Sequence, residues 1–181
     1  MLEKVWKSTM IFAAASGILL SSASAQTGVT LNQDSLPGFL TSLGYQPHKD
    51  PSRPTPAYRF TAKSGKYTFD VLAQVSSNNF YLYFSTELVE FPASTPVPQK
   101  SLEALLNPSA ATSFFVGDCH TCKPGTKRVV GARLGVQNHD LTPAIVTRAL
   151  KGFLIELEES SDAWQPLGQR IAPGSAQSAG K

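Results

Sequence analysis

Between residues 58 and 91 the chain alternates apolar and polar positions with a period of two. Tyr58, Phe60 and Ala62 share one side of a first segment. Tyr67, Phe69, Val71, Ala73 and Val75 alternate with Thr68, Asp70, Leu72 and Gln74 in a second, and a third runs from Phe80 through Phe84 toward Phe91. Alternation of this kind predicts half-buried antiparallel strands. Ser64, Gly65 and Lys66 form one turn sequence and residues 76–79 another, so the three strands are expected to pair in order as a meander.

On either side of this region the apolar spacing changes to three and four. Leu36, Phe39, Leu40 and Leu43 predict a helix with Asp34 as its cap and Gly44 at its end. Residues 46–57, with prolines at 47, 51, 54 and 56, read as an extended connector, because proline cannot donate to a helix or to a central strand. A short helix is predicted over residues 101–108, with Leu102, Leu105 and Leu106 turned inward. Two more strands, 112–116 and 128–136, flank a loop that carries both cysteines. The clearest helix follows: Thr142 caps it, Pro143 occupies its first position, and Ile145, Val146, Ala149, Leu150, Phe153, Leu154 and Leu157 lie along one side. The pattern predicts an α+β fold in the order α-β-β-β-α-β-β-α. Its antiparallel sheet, a three-strand meander plus a two-strand hairpin, packs against the first and last helices.

Composition changes the picture at both ends. Lys4 and Lys7 precede an apolar run of 11 residues, Met10 to Leu20, and Ala23, Ser24 and Ala25 make a small-residue cleavage site. This is the pattern of a secretory signal peptide cleaved after Ala25. The run falls short of the roughly 20 apolar residues that a spanning helix needs, so no stable membrane insertion is expected. The organisation read from sequence is a signal peptide over 1–25, a polar lead over 26–33, an α+β domain over 34–164 and a disordered tail over 165–181. The tail is rich in Gly, Ser, Ala, Gln and Pro, with too few apolar side chains to offset the entropy of ordering. The destination is periplasmic or secreted.

Cleavage would leave 14 basic residues against 12 acidic ones. Nucleic-acid binding relies on clustered Lys and Arg that neutralise phosphates, and a nearly balanced chain excludes a nucleic-acid partner from this reading.

Three stretches carry a resemblance: Leu36 to Tyr45, Leu102 to Leu106, and Asp140 to Leu150. With the element order, they make residues 34–160 similar to the type III secretion chaperone-like superfamily, including its YbjN-type domains. The resemblance implies a non-enzymatic binding module, often dimeric, that holds a polypeptide against its sheet or helix surface. The stretches are packing and capping residues, so the likeness speaks to fold far more than to function. The export signal and the proline-rich segment both depart from the superfamily's pattern.

Candidate chemistry is confined to residues 117–127. Cys119 and Cys122 are the only cysteines in the chain, so in an oxidising compartment they are expected to pair with each other. A structural staple is the first reading. Thiol exchange is the second, with Lys123, Lys127 and His120 as nearby cations, although the sequence after Cys122 reads as turn and strand and not as the helix start that exchange proteins use. Metal binding is the third: Cys119, Cys122, His120 and Asp118 are donors, but a closed site needs four well-placed ligands and no second Cys or His pair exists. No metal and no cofactor are therefore expected. His48 and His139 read as solvated loop residues. No Gly-x-Ser-x-Gly elbow, His-Glu-x-x-His or phosphate-binding glycine loop occurs, so no catalytic residue is assigned and the chain is not expected to be an enzyme.

Tyr58, Tyr67, Tyr81 and Tyr83 form a candidate partner surface, with Tyr81 and Tyr83 on one face of their strand and Phe80, Leu82 and Phe84 on the other. The sequence thus points to an exported binding module that holds a polypeptide partner or forms a homodimer. The alternative is a thiol-disulfide or metal-responsive envelope protein acting through Cys119 and Cys122.

Overall fold

The computed structural model describes residues 28–106, 112–119 and 122–171. The predicted signal peptide lies outside them, as do His120, Thr121 and residues 172–181 of the predicted tail.

The elements are α1 (Leu36–Ser42), β1 (His48–Lys49), β2 (Tyr58–Ser64), β3 (Tyr67–Val75), β4 (Tyr81–Pro92), α2 (Gln99–Leu106), β5 (Thr112–Asp118), β6 (Lys127–Gln137), α3 (Pro143–Glu159), α4 (Ser161–Trp164) and β7 (Gln169–Arg170). The strands form one antiparallel sheet in the order β1-β2-β3-β4-β6-β5, with β7 also paired to β4. The α+β class, the meander and the hairpin are as expected. The hairpin joins through its second strand, β6 against β4, so β5 becomes an edge.

Alternation puts one set of side chains under the helices: Phe60, Val71, Ala73 and Val75, then Leu82 and Phe84, then Leu134, Ala132 and Val130. These pack with Leu36 and Leu40 of α1 and with Val146, Leu150, Phe153, Leu154 and Leu157 of α3. Fully burying one such side chain is worth about 1.5–3 kcal/mol, and this shared burial is what holds the helices on a single face. A bulge between Glu87 and Val89 of β4 breaks the alternation, so Leu88 and Val89 are both buried.

Helix ends follow local chemistry. Thr142 accepts from the Ile145 amide and Pro143 opens α3. Gly44, at φ +89°, ends α1, where the Tyr45 amide donates to Leu40 and the Gly44 amide to Thr41, satisfying carbonyls that the last turn leaves free. Asp34 does not cap α1. The Asn32 side chain accepts the amides of Asp34 and Ser35 instead, because its carbonyl sits at the start of the turn that leads into Leu36.

Four segments depart from the sequence reading. The proline-rich connector contains β1, which pairs with Arg59 and Tyr58. The polar lead is tied down: Val29 bridges to Leu141, and buried Asn138 donates to the carbonyls of Leu31 and Asn79 while accepting the Leu31 amide. In α2, Leu105 is buried, but Leu106, expected to turn inward with it, is 66% exposed. Residues 165–171 are ordered and not part of a loose tail: Leu167 is buried, β7 pairs with β4, and the Trp164 indole donates to the Leu157 carbonyl. Single apolar side chains there suffice because they close a core that the rest of the chain has already built. The Glu158 carboxylate, near the C-terminal end of α3, accepts from the Ser64 hydroxyl, which ties that end to the β2–β3 turn.

Candidate functional site: the open face of the sheet

All helices that pack on the core lie on one side of the sheet, so the other side is the place to look for function. Its residues come from the opposite phase of the same strands: Arg59 on β2, Asp70, Leu72 and Gln74 on β3, Tyr81, Tyr83 and Ser85 on β4, Arg133 on β6 and Phe115 on β5.

Across this face runs a ladder of rings and a cation. The Tyr81 and Tyr83 rings stack with centroids 5.7 Å apart. The Arg133 guanidinium lies between Tyr83 and Phe115, at 5.5 and 5.9 Å from the two ring centroids. Glycine makes this arrangement possible. A Cβ on Gly131 would meet the Phe115 ring at 2.4 Å, and one on Gly135 would meet Tyr83 at 3.2 Å, so bare backbone in β6 gives the rings a bed. Beside the ladder is an open groove of about 330 Å³ lined by Arg53, Arg59, Gln74, Ser85, Glu87 and Arg133, among others.

One wall of the groove is fixed by ion pairs. Asp50, 5% exposed, accepts from the Ser52 amide at 2.9 Å, from the Ser52 hydroxyl at 2.6 Å and from Arg59 Nε at 2.8 Å, while Arg59 Nη1 reaches Asp70 at 3.1 Å. Burial pushes the Asp50 carboxyl up, but the Ser52 hydroxyl and amide and the Arg59 guanidinium outweigh it and hold the group below its ordinary range. Arg59 is thereby committed to two carboxylates. Arg53 Nε, by contrast, is buried and has no acceptor among the described residues.

The four candidate tyrosines separate. Tyr81 and Tyr83 are on the open face, with Tyr81 41% exposed. Tyr67 is buried on the helix side, packed edge-on against Trp164, covered by Arg170 and hydrogen-bonded by the Gln165 side chain. Tyr58 shares the phase of Phe60 and Ala62 and packs against the core. Neither belongs to the open surface, because both sit on the buried phase of their strands. Arg133, Arg53, Phe115 and the Asp50–Arg59–Asp70 cluster were not singled out from sequence. The paired glycines 131 and 135 in an otherwise good strand were the one signal pointing to ring cover on β6.

The cysteines lie at the end of the β5–β6 hairpin and are disulfide-bonded to each other. The Cys119 amide donates to the Lys127 carbonyl, and a turn through Gly125 leads into β6, in place of a helix start. Glu90 of β4 faces the pair, its Oε2 3.8 Å from Cys122 Sγ and its Oε1 paired with Lys127. His48 and His139 are both exposed. His139 Nδ1 lies 2.7 Å from the neighbouring Asp140 carboxylate. Among the described residues no helix is long and apolar enough to cross a membrane.

No protein-family model matches the chain, and no curated protein matches it by sequence. Among solved structures it is similar to the crystal structure of YbjN from E. coli, described as a candidate transcription regulator. The likeness covers 81% of this chain and 100% of that one, at 14% identity and a TM-score of 0.54. The chain has a YbjN-like fold.

Proposed function

We propose that this is an exported, non-enzymatic binding module that takes an extended polypeptide on the open face of its sheet. The observation that carries the reading is the ladder of Tyr83, Arg133 and Phe115 beside a groove that no helix covers. Tyrosine, phenylalanine and arginine are the side chains enriched where proteins meet partners. The buried Arg53 Nε adds a directional demand: a donor left without an acceptor costs about 1–3 kcal/mol, and a peptide carbonyl laid in the groove supplies one. Export rests on the amino-terminal pattern. The YbjN-like fold agrees with a role exercised by binding. A nucleic-acid partner is not carried over, because the three groove arginines are balanced by Asp50, Asp70 and Glu87.

The test is a binding titration of the purified mature chain against a library of extended peptides, repeated with Arg133→Glu and Tyr83→Ala. The ligands that bind are expected to lose at least about tenfold in affinity on either substitution, since each removes contacts worth about 1–2 kcal/mol. Undiminished affinity in both variants would place the partner surface elsewhere, and turnover of a small molecule by the pure protein would end the non-enzymatic reading.

A further inference from the structure

Glu90 comes from β4 and the cysteines from the hairpin tip, separated by about 30 residues of sequence, yet their donor atoms all lie within 4.8 Å of one another. We propose that this tip is a redox-gated site for a thiophilic divalent cation of the zinc class, closed while Cys119 and Cys122 are disulfide-bonded and open once they are reduced.

Zinc takes sulfur at about 2.3 Å and carboxylate oxygen at about 2.0–2.2 Å, so a tetrahedral centre sets its ligand atoms roughly 3.5–3.8 Å apart. Glu90 Oε2 already stands 3.8 Å from Cys122 Sγ. The carboxylate is also oriented: Lys127 holds Oε1, which turns Oε2 toward the sulfurs. A partner of this kind, fixing a ligand from behind, is what metal sites generally require. Two thiolates and a carboxylate facing a divalent ion and the Lys127 ammonium sum to neutrality, and Cys119, at 7% exposure, sits where such balance matters. Backbone hydrogen bonds from the Cys119 amide to Lys127 and from the Cys122 amide to Cys119 keep the two residues side by side without the S–S bond, and its reduction lets the sulfurs part to the spacing a tetrahedral centre sets. Protein and water divide the set, with three protein ligands and the fourth position left to solvent. His120 lies outside the described residues and is not required.

The gating step is a two-electron exchange. An external dithiol gives two electrons and two protons to the Cys119–Cys122 bond, leaving two protein thiols and closing to its own disulfide. The cation then displaces both thiol protons to solvent and binds the two thiolates and the Glu90 carboxylate.

The experiment uses the full mature chain, reduced and freed of reductant under anaerobic conditions, with Zn²⁺ alone competed against a chromophoric chelator. The reduced chain is expected to take up a single ion and the disulfide form none. Glu90→Gln and Lys127→Gln should each weaken uptake by about tenfold or more, while their disulfide forms unfold at the parent's midpoint. Uptake by the reduced chain no greater than by the oxidised one overturns the proposal, as does Glu90→Gln with parental affinity, which would leave a cysteine pair binding by itself. Co²⁺ on the unaltered chain gives a second reading that needs no variant. Thiolate-to-cobalt charge transfer with strong tetrahedral ligand-field bands is expected, and weak octahedral bands would contradict it.

Discussion

Leu82 and Phe84 on one side of β4 are fully buried beneath the helices, whereas Tyr81 and Tyr83, which alternate with them, stand on a face with no helix over it. The two phases of one strand therefore answer to different demands. On the covered face, volume and apolar area decide each residue, and every side chain contributes to stability through its neighbours. On the open face the order is made by ring stacking and by a guanidinium between two rings, contacts that contribute little to folding, with a buried ion-pair cluster at one wall only. Organisation of that kind, where stability gains so little from it, is what the proposed binding role requires.

Substitutions should separate the faces by size of effect. Trp164 is fully buried, closes the core over Tyr67 and anchors its indole to Leu157. Trp164→Ala should cost about 3–5 kcal/mol in denaturant unfolding while leaving peptide affinity unchanged in the fraction that folds. Asp50 stands between the extremes, since it joins the proline-rich segment to the groove wall. Asp50→Asn should cost about 1–3 kcal/mol at neutral pH. The acid limb tests the same group: with its folded value lowered, its contribution is full above the unfolded value of about 3.9 and is lost as pH falls through the folded value. A denaturant midpoint followed downward in pH should therefore drop less steeply in Asp50→Asn than in the parent. Least affected should be Arg133→Ala, within about 1 kcal/mol of the parent. A core-sized loss there would erase the distinction between the faces.

The covered face was legible in the sequence, because period and burial are the same information: Phe69, Val71, Ala73 and Val75 announce both their strand and their side of it. Capping chemistry at Thr142 and Gly44 was legible for the same local reason. What escaped depends on tertiary placement. Asp50 and Asp70 flank Arg59 only after β1 and β3 pair on either side of β2, and Glu90 meets the cysteines only after β6 pairs with β4. Tyr67 was misplaced by residue type: a tyrosine on an alternating strand reads as a surface aromatic, yet its phase puts it with Phe69 on the buried side, under a Trp164 that no short-range pattern connects to it.

The most direct test of the open-face account is amide chemical-shift mapping of the mature chain as a binding peptide is titrated in. The account predicts that perturbations concentrate at Gln74, Tyr83, Ser85, Phe115 and Arg133, with α1 and α3 silent. Shifts confined to the helix face or to the cysteine hairpin would contradict it.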